Sequence, residues 1–481
     1  MEWAPAALDK AAIKLKKGKE LHLKITKRAV FALSLSGFAP LVLAEEISQA
    51  YVPLALKTSS AQEEAKGFIE DSSLTGSTRN WFSRENGKRG TTWGIDKGNG
   101  LSERTSSRNT WVQGTILNYT SGFTEGTVGI STEVAAYNTV ALEQGKGRVA
   151  GGGNRTLTDH NGEVVDQWSK AGLANVKARV SNTVLTAGRQ SMNTPVLAFI
   201  GNRALPSSFE GVSLHSAEFD NLDFDIGTFS RVSPRTEQSL SKFRTEYGNG
   251  ATTDQVNIFG LNYQPLKSLT TSLYASGVKD FWNQYYFGAA HELGDPSVLG
   301  LTTGFNYYKT KDAGSAKLGA IDNDTYSLSL TATHKAHSLT VAFQEVNGDE
   351  YFDYLHETNA IFLANSLFSD YNGPNEKSFQ VGYGLDMAGY GVPGLKFSVY
   401  TARGWGIDGT HYKGGGYDGI QAQDGESHYE YGFGTSYAVQ GGPLKASTIR
   451  ATYSAHRASA NQVDGSLNEL RIVTTIPFQI L

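Results

Sequence analysis

Residues 468–481 read NELRIVTTIPFQIL, and two kinds of side chain alternate along this stretch. The residues of one parity are apolar, namely Leu470, Ile472, Ile476, Phe478 and Ile480. The polar and charged residues share the other parity, namely Glu469, Arg471, Thr475 and Gln479. Because successive side chains of a strand point to opposite faces, this stretch predicts a β-strand with one apolar and one polar face.

The same two-residue alternation runs through most of the chain from Gly67 onward, and helical periodicity is hard to find. Val128, Ile130 and Val134 alternate with small or polar residues, and residues 378–386 repeat the pattern. Polar stretches rich in Gly, Asn, Asp and Ser separate the alternating segments. The sequence therefore predicts an all-β protein made of half-buried antiparallel strands.

The predicted connections alternate between short and long. Short turns are expected at residues 120–122, 181–183, 218–221, 265–267, 294–297, 335–336, 388–394 and 440–443. Longer polar links are expected around residues 83–108, 142–170, 348–376 and 405–426. Short turns at one rim and long loops at the other are typical of a transmembrane β-barrel, with the short turns in the periplasm and the long loops outside the cell.

Eight short turns correspond to about 18 strands, and about 16 strands remain an alternative. Backbone N–H and C=O groups in the hydrocarbon core of a membrane must all be hydrogen bonded within the protein. A closed barrel meets this requirement because it leaves no strand edge unpaired. We expect aromatic girdles at the strand ends, formed by Trp111, Tyr119, Phe123, Tyr307, Tyr308, Tyr429 and Tyr431. A soluble β-sandwich or β-helix is the alternative fold, but the chain contains no linker or repeat that such a fold would need at this length.

The composition narrows the possible functions. The 481 residues include 54 Gly and 12 Pro but no Cys, which excludes thiol chemistry and sites with cysteine ligands. The net charge is −4, so the chain is a poor candidate for binding nucleic acid. The apolar run at residues 29–43 is too short for a membrane-spanning helix.

That apolar run has the features of a secretory signal peptide. It follows Lys24, Lys27 and Arg28, and small residues precede a predicted cleavage site after Ala44. We therefore predict a signal peptide at residues 1–44 and a barrel domain at residues 45–481. The charged segment before the apolar run is long, and a translation start near Leu21 would give a signal peptide of ordinary length.

One predicted loop is too apolar to lie in water. Residues 191–212 follow the fifth predicted strand and include the run PVLAFI at residues 195–200. Folded inward, this segment would narrow the lumen as a constriction loop that includes Phe199 and Ser207, with Asn202 and Arg203 as its polar tip. The alternative is that the apolar residues only pack the loop against the wall and that Arg203 forms a local salt bridge.

Strand parity predicts a basic track on the inner wall. Arg79, Arg450 and Arg471 each share the parity of polar neighbours, and closure of the barrel makes their three strands adjacent. Lys177 and Arg179 have the parity opposite to Val176 and Val180, so they also point inward. Arginine on the lipid face near mid-bilayer would cost about 2–4 kcal/mol, which also favours the lumen.

Three carboxylates are expected on the inner wall as well. Glu133, Asp223 and Asp225 would form an acidic wall opposite the basic track and give a transverse field across the lumen. The alternative is that the basic residues pair with lumen carboxylates and only stiffen the barrel.

Enzyme motifs are incomplete in this sequence. His291-Glu292 and His356-Glu357 lack the second histidine of a zinc-protease helix, and no Gly-x-Ser-x-Gly motif occurs. Residues 221–225 have calcium-loop spacing but lack the glycine at the sixth position. We therefore predict no enzyme activity, no metal site and no cofactor, while an enzyme site assembled from distant loops remains an alternative.

Several segments together resemble the OprD-like family of substrate-specific outer-membrane porins. They span nearly all of the chain after the signal peptide, in the family's order. The segments are FIEDSSL (68–74) with Arg79-Asn80, GTILNY (114–119), SGFTEGTVG (121–129), KARVS (177–181), PVL (195–197), NRALP (202–206) with Phe209 and Gly211, VPGL (392–395), GPLK (442–445) and NELR (468–471).

The resemblance implies an 18-stranded barrel in the bacterial outer membrane, with a constriction loop and a basic ladder that guides anions. It also implies passive uptake of small water-soluble solutes, usually with a carboxylate, such as amino acids, peptides or aromatic acids. The partners would be outer-membrane lipid and these solutes, and the protein would be a monomer or a weak homotrimer. A general diffusion porin, or an enzyme or adhesin on a barrel scaffold, is the alternative. One departure concerns residues 199–202 (FIGN), where the family pattern has more Ser and Asp.

Overall fold

The computed structural model describes residues 60–96, 102–144, 156–417 and 419–481. The predicted signal peptide lies outside these residues and stays a prediction. Within the described ranges, eighteen long strands form one antiparallel sheet. They are β1 (Ser73–Lys88), β2 (Ser107–Thr120), β3 (Gly129–Glu143), β4 (Gln167–Val180), β5 (Thr183–Gln190), β6 (Ser208–Phe219), β7 (Leu222–Ser233), β8 (Val256–Leu266), β9 (Leu269–Val278), β10 (Trp282–Asp295), β11 (Leu299–Asp312), β12 (Asp322–His334), β13 (His337–Asn347), β14 (Lys377–Asp386), β15 (Leu395–Asp408), β16 (Asp424–Ala438), β17 (Thr448–Ala458) and β18 (Ser466–Gln479).

The sheet closes on itself because β1 pairs with both β2 and β18. Arg79 of β1 lies opposite Gly114 on one side and opposite Thr475 on the other. Each remaining strand pairs with its two neighbours in the chain, including β5 with β6 across a long loop. The predicted eighteen-stranded barrel is therefore confirmed, and no edge of the main sheet is left unpaired.

The eight connections at one rim fall where the short turns were predicted. They are residues 121–128, 181–182, 220–221, 267–268, 296–298, 335–336, 387–394 and 439–447. The opposite rim carries the long loops, among them residues 191–207, 234–255, 348–376 and 409–423. Two predicted long links are shorter than expected, because β1 continues to Lys88 and β15 to Asp408.

The two faces of the barrel differ in polarity as the alternation predicts. In β18, Leu470 and Ile472 are 39% and 37% exposed on the outer face, whereas Glu469 on the inner face is 3% exposed. Outward apolar side chains bury against lipid, and inward polar ones line the lumen. None of the helices in the described part of the chain is long and apolar enough to span a membrane.

Two predicted girdle residues are misplaced, because Phe123 stacks on the inward-facing Arg179 and Tyr308 lies inside the barrel. Tyr308 of β11 is fully buried inside the barrel, and its hydroxyl donates to the backbone oxygen of Pro195 at 3.0 Å. Trp111, Tyr429 and Tyr431 are exposed on the outer face, as expected of a girdle. Tyr308 faces inward because it has the lumen-facing parity of its strand and meets a loop there.

Three loops from the long-loop rim, residues 191–207, 234–255 and 348–376, meet inside the lumen. Residues 191–207 fold inward as predicted, whereas residues 348–376 were expected to be an external polar link. Phe352, Leu355 and Ile361 of loop 348–376 are buried in the same apolar cluster as Leu197 of loop 191–207. Loop 348–376 turns inward because water would otherwise surround these large apolar side chains.

Candidate functional site

Loop 191–207 crosses the inside of the barrel and rests on its wall. Val196, Leu197 and Leu205 are buried, and the backbone of Ala204 passes close to Gly114 on the inner face of β2. A Cβ atom at Gly114 would lie 2.5 Å from the Ala204 oxygen, so a glycine is needed at this point of contact. The loop therefore narrows the lumen from the β1 and β2 side.

The neck of this loop is closed by Ser207. Its Oγ accepts from the Ile200 N–H at 3.0 Å, and its own N–H donates to the Ile200 oxygen at 2.9 Å. Phe199 forms an isolated β-bridge with Thr358 of loop 348–376. Ser207 is fully buried. Of the four residues predicted for the constriction loop, Ser207 and Phe199 therefore fix the shape of the loop. Asn202 and Arg203 are its partly exposed polar residues.

Arg79 connects the wall to the tip of loop 191–207. Its Nη1 donates to the backbone oxygens of Gly201 at 2.6 Å and Arg203 at 3.0 Å. Its Nε donates to the Thr475 hydroxyl of β18 at 3.1 Å. The guanidinium thus faces the lumen, as predicted, and also holds the loop in place.

A buried ion pair joins three loops at the polar tip. Arg235 of loop 234–255 donates from Nε to Glu357 Oε2 at 2.9 Å and from Nη2 to Glu357 Oε1 at 3.1 Å. Arg235 Nη1 also donates to Asn202 Oδ1. Burial would raise the pKa of Glu357, but the charge and hydrogen bonds of Arg235, with His356 and Arg203 adding, hold that pKa well below its ordinary value. Glu357 is therefore a carboxylate that fixes the loops around Asn202.

Arg471 and Arg450 lie on neighbouring strands above Arg79. Arg450 of β17 pairs in register with Val473 of β18, which lies opposite Trp81 of β1. Arg471 lies opposite Ser83, one inward position nearer the long-loop rim. The three arginines therefore occupy successive levels of one wall, at the heights of positions 83, 81 and 79 of β1.

Arg471 is paired with a lumen carboxylate. Its Nη2 donates to Glu469 Oε2 at 2.9 Å and its Nε to Glu469 Oε1 at 3.1 Å. Glu469 Oε1 also accepts from the Ser83 hydroxyl at 2.5 Å. The guanidinium carbon lies 5.8 Å from the centre of the Trp81 ring. Arg471 therefore forms the kind of ion pair with a lumen carboxylate that the alternative interpretation, stiffening of the barrel, predicts.

Lys177 and Arg179 point inward on β4, as predicted, but each has a close partner. Lys177 Nζ lies 3.0 Å from Glu133 Oε2 of β3, so these residues form an ion pair. Arg179 Nε donates to Gln62 Oε1 at 2.9 Å, and its guanidinium stacks on Phe123 near the short-turn rim. The expectation that Glu133 faces the basic residues across the lumen is wrong, because adjacent strands place Glu133 beside Lys177.

Asp223 and Asp225 face inward on β7, also near the short-turn rim. Asn262 Nδ2 donates to Asp223 Oδ1 at 2.8 Å, and the Tyr274 hydroxyl donates to Asp225 Oδ2 at 2.8 Å. His215 Nδ1 lies 2.8 Å from Asp225 Oδ1. These two carboxylates form the acidic patch that the sequence predicts, without Glu133.

Sequence reasoning missed Lys170, which also points into the lumen. Its Nζ donates to the backbone oxygens of Pro234 and Glu237, so it anchors loop 234–255. A register shift in the pairing of β3 with β4, at Gly172, reverses the inward parity. Lys177, on the short-turn side of the shift, faces inward at an odd-numbered position, whereas Lys170, on the long-loop side, faces inward at an even-numbered one. A prediction that assumes uninterrupted alternation along β4 therefore identifies only one of the two lysines.

A closed antiparallel barrel with an apolar outer band, a polar lumen and loops folded inside it defines a channel of the outer-membrane porin class. The model of the outer membrane porin, OprD family, matches residues 66–480. The chain therefore belongs to the OprD family of outer-membrane porins, and the predicted family and location are confirmed.

Individual relatives agree with this assignment. Porin D of Pseudomonas aeruginosa is 38% identical over 439 residues, covering 88% of this chain and 94% of the relative. The porin-like protein GalP of Pseudomonas putida is 28% identical and covers 87% and 94%. The crystal structure of Pseudomonas aeruginosa OccD3 (OpdP) superposes with a TM-score of 0.79 at 46% identity, covering 91% of this chain and 97% of that one.

Proposed function

We propose that this porin is a substrate-selective channel for small water-soluble solutes that carry a carboxylate. Solutes move passively from the long-loop side to the short-turn side, so no energy source or cofactor is required. The observation that carries the proposal is the series Arg471, Arg450 and Arg79 on β18, β17 and β1, which leads toward loop 191–207.

The electrostatics of this series favour anions. Arg79 donates to two backbone oxygens at the tip of the loop, and these carry only partial charge, so these two bonds do not neutralise the guanidinium. Glu469 offsets part of the charge of Arg471, and the three guanidinium groups lie at successive heights of the same wall. A positive track between low-dielectric walls raises the local concentration of carboxylates.

Ion selectivity in planar bilayers tests the track. We expect Arg450→Gln to shift the reversal potential under a KCl gradient toward cations, because one positive charge is removed from the inner wall. The matched control is Arg403→Gln, since Arg403 is exposed on the outer face of β15. The shift should shrink at about 1 M salt, where the screening length is about 3 Å. Equal reversal potentials for wild type, Arg450→Gln and Arg403→Gln would refute a guiding role for Arg450.

Substrate class requires uptake into liposomes. The panel compares aromatic carboxylates, basic amino acids and sugars of similar size. A carboxylate-selective channel should take up the carboxylates faster than uncharged solutes, and Arg450→Gln should reduce that preference. Rates ordered by size alone would identify a general diffusion porin instead.

A further inference from the structure

Two histidines and an aspartate meet near the long-loop rim, away from the arginine series. His428 lies on β16, His456 on β17 and Asp464 in the loop 459–465. One ligand atom from each residue lies within 4.8 Å of the others. His428 is 2% exposed and His456 is fully buried, so these atoms form an enclosed group beneath loop 348–376.

The outer nitrogen of each histidine has a fixed acceptor. His456 Nδ1 lies 2.6 Å from the Gly465 carbonyl oxygen, and His428 Nε2 lies 2.5 Å from Glu376 Oε1. A carbonyl and a carboxylate can only accept, so both of these nitrogens carry a hydrogen. Histidines that bind metals usually have this arrangement, in which the outer N–H is held by a carbonyl or carboxylate.

The inner nitrogens consequently face each other without a hydrogen of their own. In the neutral rings, His428 Nδ1 and His456 Nε2 both present lone pairs, and they are 2.7 Å apart. Two lone pairs at this distance repel unless a proton or a metal ion lies between them. Two nitrogens bound to a tetrahedral zinc ion at 2.0–2.1 Å are about 3.3 Å apart, so a small rotation of the rings would admit the ion.

Asp464 supplies the negative charge that a divalent cation requires. Its Oδ2 accepts from the Ser369 hydroxyl at 2.6 Å and from Gln462 Nε2 at 2.9 Å, which hold the carboxylate in place. Asp464 Oδ1 accepts no hydrogen bond from the described residues. Glu376 places a second carboxyl group beside the His428 ring, and so the surroundings favour a cation.

We propose that His428, His456 and Asp464 bind a zinc ion through His428 Nδ1, His456 Nε2 and an Asp464 carboxylate oxygen. Two imidazoles and one carboxylate are a ligand set that suits Zn²⁺, and water would complete the tetrahedron. Glu376 is a positioning residue, because it acts through His428.

The bound ion would fasten loop 348–376 to the barrel wall. Ser369 of that loop is hydrogen bonded to Asp464, and the Tyr371 ring lies 4.3 Å from the His428 ring, centre to centre. The same loop carries Glu357, which holds Arg235 near Asn202. Zinc at the long-loop rim would therefore stabilise the loop that shapes the tip of the constriction.

The direct test is metal binding by the full chain in detergent. Protein freed of metal with a chelator is incubated with ZnCl₂, either after folding or during refolding, and bound zinc is measured by mass spectrometry after dialysis. We expect one zinc ion per chain. Cobalt(II) in its place should give the visible absorption bands of tetrahedral coordination.

Variants identify the ligands. His456→Gln and Asp464→Asn should lose the bound ion, whereas His411→Gln, which alters an exposed histidine at the same rim, should keep it. Glu376→Gln should weaken zinc affinity about 10–100-fold without abolishing binding. Heat-modifiable gel mobility of each variant verifies that the barrel has formed.

Two results would overturn the proposal. The first is wild-type protein that holds no zinc and gives no tetrahedral cobalt bands under either incubation, in which case a proton occupies the position between the rings. The second is zinc binding that is unchanged in folded His456→Gln and Asp464→Asn.

Discussion

At the level of single residues, Arg79 combines a charge on the inner wall with a structural contact. Its planar guanidinium donates to two backbone oxygens of loop 191–207 and to Thr475 on the neighbouring strand. An ammonium group has the charge but not this fork of donors. The two roles of Arg79 can therefore be separated by substitution.

We expect Arg79→Ala to loosen loop 191–207, because hydrogen bonds from a charged donor contribute about 1.5–3 kcal/mol. Single-channel recordings should show a larger and noisier current than the wild type. Arg79→Lys should also loosen the loop but keep the ion selectivity. Arg84→Ala, on the outer face of the same strand, is the control and should leave the current unchanged. A current in Arg79→Ala that matches the wild type would show that Arg79 does not hold the loop.

The period of two in the sequence predicts which face a charge lies on but not which residue it contacts. Arg79, Arg450 and Arg471 follow their parity, and barrel closure makes their strands adjacent. Glu133 also follows its parity, yet its pairing with Lys177 depends on the register of β3 and β4, which no local pattern encodes. Contacts across strands are therefore the part of the site that a single sequence leaves undetermined.

At the level of elements, three loops from distant parts of the chain meet inside the barrel. Loops 191–207, 234–255 and 348–376 are joined at Asn202, Arg235 and Glu357. The inward position of loop 191–207 was predicted from its apolar run at residues 195–200. Loop 348–376 has the same signal, with Phe352, Leu355 and Ile361, so its position could have been predicted by the same argument. Arg235 has no comparable signal, since it lies in a loop where parity has no meaning.

The Arg235–Glu357 pair should be a large contributor to loop stability. Both residues are buried, so Glu357→Ala removes the carboxylate that binds the Arg235 guanidinium and should lower the free energy of unfolding by about 3–5 kcal/mol. Denaturant unfolding followed by tryptophan fluorescence measures the change. Asp254→Asn removes one partner of an exposed pair with Lys279, and a loss of only about 0–1 kcal/mol is expected there. Equal losses in the two variants would contradict the importance of burial.

Loop 348–376 also carries two buried carboxyl groups that make stability depend on pH. Burial raises the pKa of both Glu350 and Asp353 to about 7, whereas both have values of about 4 in an unfolded chain. Between these values the folded protein holds more protons than the unfolded chain, so their stabilising contribution is present at about pH 4 and is lost as the pH rises through about 7.

We therefore expect the wild type to unfold at a higher denaturant concentration at pH 5 than at pH 8. The double variant Glu350→Gln with Asp353→Asn should show a smaller difference between the two pH values. The pH dependence that Glu357 contributes has the opposite sign, because the pKa of Glu357 is lowered in the folded protein. Its stabilising contribution is therefore lost only as the pH falls below the range from 5 to 8. An unchanged pH dependence in the double variant would rule out these two groups as its source.

At the level of the whole molecule, the barrel depends on the contrast between an apolar outer surface and a polar lumen. The eighteen strands and eight short turns could be predicted because each strand repeats this contrast locally. Closure between β1 and β18 followed from the requirement that no strand edge faces lipid. The lengths of the strands were less predictable, since β1 and β15 extend beyond the membrane-sized segment into the long-loop rim.

Arginine substitutions along β18 test the contact of this surface with lipid. Ile472→Arg lies near the middle of the strand and should destabilise the folded barrel in vesicles by about 2–4 kcal/mol. Ile480→Arg follows the strand end, near the interface, and should lower stability by only about 0–1 kcal/mol. Refolding and unfolding titrations in lipid vesicles measure both values. Equal effects at the two positions would mean that this face does not contact the hydrocarbon.

The contacts of the inner wall and of the inward loops join partners that are far apart in the chain. Arg79 and Gly201 are 122 residues apart, as are Arg235 and Glu357, and Ser83 and Glu469 are 386 residues apart. Such contacts form only when distant strands have already assembled, because loop-closure entropy opposes them earlier. During biogenesis, closure of the barrel should therefore precede the final positioning of the inward loops.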